Sequence, residues 1–341
     1  MSIQQSELIW RQPEIHHNDT GANGGRMTST EIAPGVKNNI WGDVSQYDRD
    51  NGKTEYAKVF IHVANDDDIE LINPRVFVET PTPGEDSVTI FLGTHTNTQS
   101  TLGSDQQYGC GALDSDAIAD AVTIDVLTEG QALDYFKNGM LVRISDKATV
   151  DGVGNEQYVT LTADATYVGD PNVATLVFDI ADKLADGYSA LDTRVSSVLE
   201  PATVEALYSD FTVTGTNTGS GDYDDSSTDA VVMDSIGSVA EDWTITFSNA
   251  TTYTLTNSAA ETIVEDNNIN TTLQPINPGF PGKPYFTLDP ANFSGSFNAS
   301  DTITFTTTPC SIPVWYMRDI HIGASSLAGD SVFVGIDGES A

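Results

Sequence analysis

The sequence predicts an all-β chain: an Ig-like β-sandwich with an extended N-terminal arm and a second β domain inserted into it. Three observations carry this. Apolar and polar residues alternate in short runs such as Val59-Phe60-Ile61-His62-Val63, the period of a half-buried strand. Clusters of Asn, Asp, Gly and Pro separate those runs and supply turns. Thr, Val and Ile are abundant, and their branched side chains fit a pleated surface.

Residues 1–45 read as the arm. Gly21, Gly24, Gly25, Pro34 and Gly35 interrupt any regular element. Single apolar anchors, Ile9, Trp10, Ile40 and Trp41, stand between polar stretches, so the arm lies on the body of this subunit or on a neighbour. Its candidate assembly contacts are Trp10, Arg11, Arg26, Ile40 and Trp41.

The sandwich is assigned to 46–204 plus 311–341. Strands begin at Tyr56, with Val59, Ile61 and Val63 on one face, and Asn65 to Asp68 form a turn. Val76 to Val78 follow, then Val88, Ile90 and Leu92 alternate. Further strands fit Val122 to Leu127, Leu141 to Ile144, Tyr158 to Leu161 and Leu176 to Ile180. One short helix fits between them: Thr128 as cap, Gln131 as capping-box partner, Leu133 and Phe136 facing inward, Gly139 as stop. No other helix of note is expected.

Residues 205–310 form the inserted domain. Phe211 to Thr214, Trp243 to Phe247, Tyr253 to Thr256 and Thr302 to Thr306 alternate apolar residues with Thr, which gives a strand with one wet face. A Pro-Gly loop spans Pro275 to Pro284. The first style returns in Val314 to Ile322 and Ser331 to Ile336, expected to pair back into the sandwich.

The chain has 14 Lys plus Arg against 50 Asp plus Glu, a formal charge of -36. A phosphate-binding surface needs clustered cations, so nucleic acid is excluded as a main ligand. The acidity reads as solubility in a salty environment, or as a surface facing a basic partner or cations. Half of the basic residues lie before position 76, and 195–341 carry only Lys283 and Arg318. Basic arm on acidic body would suit contacts between identical subunits; uneven surface charge is the alternative. No apolar run is long enough for a membrane helix, and the N-terminal residues lack a secretory pattern. Synthesis in the cytoplasm is expected.

No catalytic signature emerges: neither a nucleophile elbow, nor a P-loop, nor a dinucleotide fingerprint, so no catalytic residue and no cofactor is assigned. Of the histidines His16, His17, His62, His95 and His321, none forms a metal-binding pair, and His62 and His321 are placed on half-exposed faces. Cys110 and Cys310 read as buried thiols, with a long-range disulfide as the alternative. Asp48-Arg49-Asp50-Asn51-Gly52 opens like a calcium loop, but its Gly comes one place early and Val59 stands at the twelfth position. Asp66 to Asp68 and Asp222 to Asp225 are further acidic turns. Weak cation binding by such turns is the leading small-ligand expectation; no metal site is assigned.

Lys37-Asn38-Asn39-Ile40-Trp41-Gly42-Asp43-Val44-Ser45, Gly52 to Phe60 and the Asn65 to Asp68 turn, with Ser326 to Val332 and Gly335 to Ala341, together resemble virion structural proteins of tailed bacteriophages. The resemblance covers roughly the first 100 and last 30 residues and implies a neck, tail or baseplate part. Its partners would be other copies of itself and other virion proteins, and its location the virion. The alternatives are a carbohydrate-binding or adhesive module, a head decoration protein, and a hydrolase with two facing carboxylates.

Overall fold

The computed structural model describes residues 2–16, 22–84, 86–128, 135–149, 152–167, 169–214, 220–227 and 229–341. The chain is all-β. Strands β1 (Leu8–Ile15), β2 (Gly24–Glu31), β3 (Lys53–Val63), β4 (Leu71–Thr80) and β5 (Asp86–Leu92) come first. Then come β6 (Cys110–Leu113), β7 (Thr123–Leu127), β8 (Leu141–Ser145), β9 (Glu156–Thr160), β10 (Thr166–Tyr167), β11 (Val173–Val177) and β12 (Arg194–Ser197). The Thr-rich stretch holds β13 (Leu207–Thr214), β14 (Asp222–Tyr223), β15 (Val231–Met233), β16 (Glu241–Phe247), β17 (Thr252–Thr256) and β18 (Thr262–Asn268). It ends with β19 (Phe286–Leu288), β20 (Phe293–Ser294) and β21 (Thr302–Thr308), before β22 (Ser311–Ile320) and β23 (Phe333–Ser340).

Three larger sheets organise these strands. The first runs β2-β1-β3-β22-β5, the second β10-β11-β7-β6-β12-β8-β9, the third β13-β21-β16-β17-β18. β23 pairs with β4 in a separate ribbon. β3 and β22 stay antiparallel and in register from Ser311↔His62 to Ile320↔Lys53. Val59, Ile61 and Val63 share one buried face of β3, as the alternation predicts. They pack with Ile312 and Val314 and with Val76, Val78 and Leu199 of the opposite layer, so the first sheet and the β4–β23 ribbon close over one apolar core.

The second sheet has its own core, centred on Val126, Phe136, Val142, Ile144 and Val195. Residues 207–308 have a third, rich in aromatics: Trp243, Phe247, Tyr253, Phe286 and Phe305. Threonines occupy the other face of that sheet. Thr304 pairs with Thr212 and with Thr244, and Thr244 with Thr256. The next row repeats this with Thr214, Thr302, Thr246 and Thr254. Cross-strand Thr pairs of this kind stabilise a solvated face.

Two local expectations change. The arm is not devoid of regular structure, because β1 and β2 form a hairpin that extends the first sheet, with Leu8↔Val63 to Arg11↔Phe60 as its junction. The glycines serve close packing there: at Gly24 (φ +119) a Cβ would lie 2.6 Å from the Asn97 carbonyl oxygen. A helix, α1 (Gln46–Asn51), occupies the calcium-like stretch. Ser45 caps it: its Oγ accepts from the Asp48 N–H at 3.1 Å, and Asp48 Oδ2 accepts back from the Ser45 N–H at 3.3 Å. Asp48 is thus a capping group rather than an ion ligand. The helix expected near 128–139 falls on Gln131 and Leu133, outside the described residues; Thr128 and Phe136, at its margins, are buried. Cys110 and Cys310 are both buried and free. No helix among the described residues is long and apolar enough to cross a membrane.

Candidate assembly surface

Alternation along β3 leaves Lys58, Phe60 and His62 on the face away from the first core. Two of these are polar, so exposure is the natural expectation. Instead all three are fully buried. The half-exposed placement of His62 is therefore corrected: loops from the Thr-rich unit cover that face. The Pro-Gly loop brings in Phe280, which packs with Met27 and Phe60. Asn277 shapes the loop, its Oδ1 accepting from the Gly279 N–H at 2.8 Å and its Nδ2 donating to the Gly237 carbonyl at 2.7 Å. Gly237 is required here, because a Cβ would sit 2.1 Å from the Pro284 carbonyl oxygen.

Arg11, His62 and Lys58 find polar partners within this seam. Arg11 Nε donates to His62 Nδ1 at 2.7 Å, and His62 Nε2 lies 2.8 Å from the Ser235 carbonyl oxygen. An arginine only donates and a carbonyl only accepts, so His62 is the neutral Nε2–H tautomer. Burial, then the Arg11 charge, push His62 down to about 4, against the pull of the Ser235 carbonyl. Phe280 stands edge-on to the imidazole, its ring 4.9 Å from the Arg11 guanidinium carbon. Lys58 Nζ donates to the carbonyls of Gly25 and Asn97 at 2.8 and 2.9 Å and lies 4.9 Å from the Phe60 ring centre. Burial pushes Lys58 down to about 7. At the rim, Arg26 pairs with Glu241 at 3.2 Å and Lys283 with Asp66 at 2.6 Å. Asp68 Oδ1 accepts from the Ser235 N–H at 2.7 Å, so the 66–68 turn is a joint between units.

A pH dependence follows. His62 titrates lower in the folded chain than in the unfolded one, where its value is near 6.5. Its contribution is complete above pH 6.5 and is lost as pH falls through 4. Urea unfolding should show about 2–3 kcal/mol of acid-side loss from this group. His62→Gln, which can accept from Arg11 and donate to Ser235, should lack that part of the slope.

The five predicted arm contacts are all engaged within the chain. Arg11 and Arg26 serve the seam. Trp41 is 9% exposed, with the Arg318 guanidinium carbon 4.9 Å from its ring centre. Ile40 packs against the first core. Trp10 is half-buried and donates to the Tyr316 hydroxyl at 3.3 Å. It also lines a groove of about 380 Å³ between the N-terminal segment and β23. Ile3, Leu8 and Trp10 form one wall; Val334 and Ile336 of β23 form the other. Among the described residues β23 pairs only with β4, so one edge of this groove-lining strand carries backbone groups free of a strand partner. Beside it, Phe333 is 59% exposed. Such an edge is a template for strand addition. Trp10 alone of the five predicted residues is signalled by sequence and placed here; Val334 and Ile336 were legible only as a strand face.

Among the described residues no three or more His, Cys, Asp or Glu side chains converge to hold a metal ion. Compared with known proteins, the chain matches no family model, no curated protein and no solved structure.

Proposed function

We propose that this chain is a structural subunit of a tailed-phage virion, of the neck, tail or baseplate, that works by protein–protein assembly. The observation that carries the reading is the groove beside the strand-unpartnered edge of β23, with Trp10 of the arm in its wall and both apolar and polar side chains lining it. The resemblance of both chain ends to virion proteins supports it. In this reading the first unit is an Ig-like sandwich and the Thr-rich unit is inserted into it. Support comes from β3 and β22, which pair directly although 207–308 hold a separate sheet and core. The occupant of the groove is a strand of a second copy, an arrangement that closes by two-fold symmetry when the same edge is used on both sides.

Two copies each carrying -36 repel, so salt should promote the contact. The Debye length falls from about 30 Å at 0.01 M to about 3 Å at 1 M. Light scattering coupled to size exclusion should show oligomers growing with salt and protein concentration. Amide exchange should slow in 333–340 as they form, and Ile336→Asp should return the chain to monomer. A chain that stays monomeric at every salt concentration, with unchanged exchange in β23, would sink the reading. The carbohydrate-binding alternative relies on exposed aromatics, whereas Trp243 is 2% exposed in the core beneath the Thr-rich sheet.

A further inference from the structure

Asp86 opens β5, and Asp330 lies in the loop that leads from β22 into β23. The two meet over Gly84. A Cβ on Gly84 would lie 2.3 Å from Asp330 Oδ2 and 3.1 Å from Asp86 Oδ1, so both oxygens converge on the space that the missing side chain leaves. Asp86 is only 8% exposed, and its Oδ1 is buried without a hydrogen-bond partner. Among the described residues neither carboxylate takes part in an ion pair. The other oxygen of Asp330, Oδ1, accepts from the Ser331 N–H at 2.9 Å, which leaves Oδ2 turned toward Asp86. Asp330 itself is exposed and opens the pair to solvent.

A buried carboxylate oxygen without a donor is costly. Placing a second carboxylate against it adds repulsion. Burial, followed by the facing Asp86, pushes the Asp330 carboxyl up to about 6. Among the described residues the pair has no cationic side chain to neutralise it. Hard divalent cations take carboxylate oxygens from separate segments and tolerate irregular geometry, calcium most of all.

We propose that Asp86 and Asp330 bind one hard divalent cation of the calcium class, which ties the approach to β23 onto the edge strand β5. The two carboxylates supply the charge, and water fills the remaining positions of the roughly six to eight that calcium takes. Gly84 is part of the site, since any side chain there would occupy the space between the oxygens. The site is independent of the groove and of any assembly role.

The test is thermal unfolding and titration calorimetry of the full chain with CaCl2 alone, at ionic strength held constant with NaCl. Wild type, Asp330→Asn and Asp86→Asn are compared. At a hundredfold excess over Kd, the wild-type Tm should rise by about 4 °C. Both variants should lose that rise. Asp330→Asn should be no less stable than wild type in metal-free buffer, because one of two facing charges has gone; this keeps the comparison valid if Asp86→Asn folds poorly. Equal responses in wild type and Asp330→Asn would mean diffuse screening of an acidic surface and would overturn the site. So would a wild-type chain indifferent to about 10 mM calcium, well above the weakest calcium modules. Stability that rises on acidification below pH 6 without any calcium response would assign the pair a shared proton instead, and would also overturn it.

Discussion

Phe280→Ala should destabilise the chain by about 3–5 kcal/mol, the usual cost of emptying a buried aromatic site. Phe280 is 7% exposed and sits on a loop of the Thr-rich unit, yet the buried side chains it packs with, Met27 and Phe60, lie in the first sheet. Its ring covers Arg11 and His62. Removing it lets water reach two polar groups whose pairing depends on exclusion, so the loss exceeds that of the apolar surface alone. The effect should also be directional. The cores around Val59 and around Trp243 are separate, and Phe280 is a principal apolar link between them. Calorimetry should resolve the melting of the Thr-rich unit from that of the first sheet in the variant. Phe280→Leu should recover most of the stability and keep the transitions together. A variant that melts like wild type would show that the rim pairs Arg26–Glu241 and Lys283–Asp66 hold the units by themselves, an outcome at odds with the small energies of part-exposed ion pairs.

Stability should rise as pH increases from 7 to 9.5, by about 3 kcal/mol from Lys58. The sign follows from the direction of the shift. Burial pushes Lys58 down to about 7 in the folded chain, whereas an unfolded lysine titrates near 10.4. Between these values the unfolded chain binds more protons, so raising pH favours the fold. The contribution is complete above the unfolded value and is lost as pH falls through 7. Buried tyrosines set an upper limit. Burial pushes Tyr253 and Tyr316 up to about 12, so their contribution is present below about 10, the unfolded value, and lost above it. Urea unfolding at intervals from pH 6.5 to 9.5 should show the rise in wild type. Lys58→Met should flatten it, while leaving the carbonyls of Gly25 and Asn97 without their shared donor.

Much of the strand pattern was legible because it depends on neighbours in sequence. Val59, Ile61 and Val63 announce a face by alternation, and the Thr alternation of Thr302 to Thr306 announces a wet one. Features that depend on distant residues were not. His62 read as half-exposed because nothing near it indicates that Phe280, more than 200 positions away, covers its face of β3. The β1–β2 hairpin was hidden for a different reason. Gly24 and Gly25 read as breaks, whereas the missing side chain of Gly24 admits the 97–98 segment and that of Gly25 makes room for Glu14. Helix α1 escaped because Asp48, Asp50 and Asn51 are weak helix formers and resemble ion ligands; the capping pair Ser45–Asp48 outweighed that composition. Of the candidate site, the sequence marked Trp10. The opposing wall, Val334 and Ile336, was visible as a strand face but not as an edge left open.

The register between β3 and β22 constrains the order in which the molecule can be made. β3 is complete by Val63, but the strand that pairs along it begins at Ser311. On the ribosome, at about 5–20 residues per second, the first sheet must wait tens of seconds for its central partner. Over that interval the second sheet and the Thr-rich unit, each with its own core, can fold, because their pairings close within 110–197 and 207–308. The N-terminal strands would be the last to be secured, and an edge left open that long invites pairing with another nascent chain. High net charge counters such encounters. The acidity of this chain therefore protects its biosynthesis as well as its solubility.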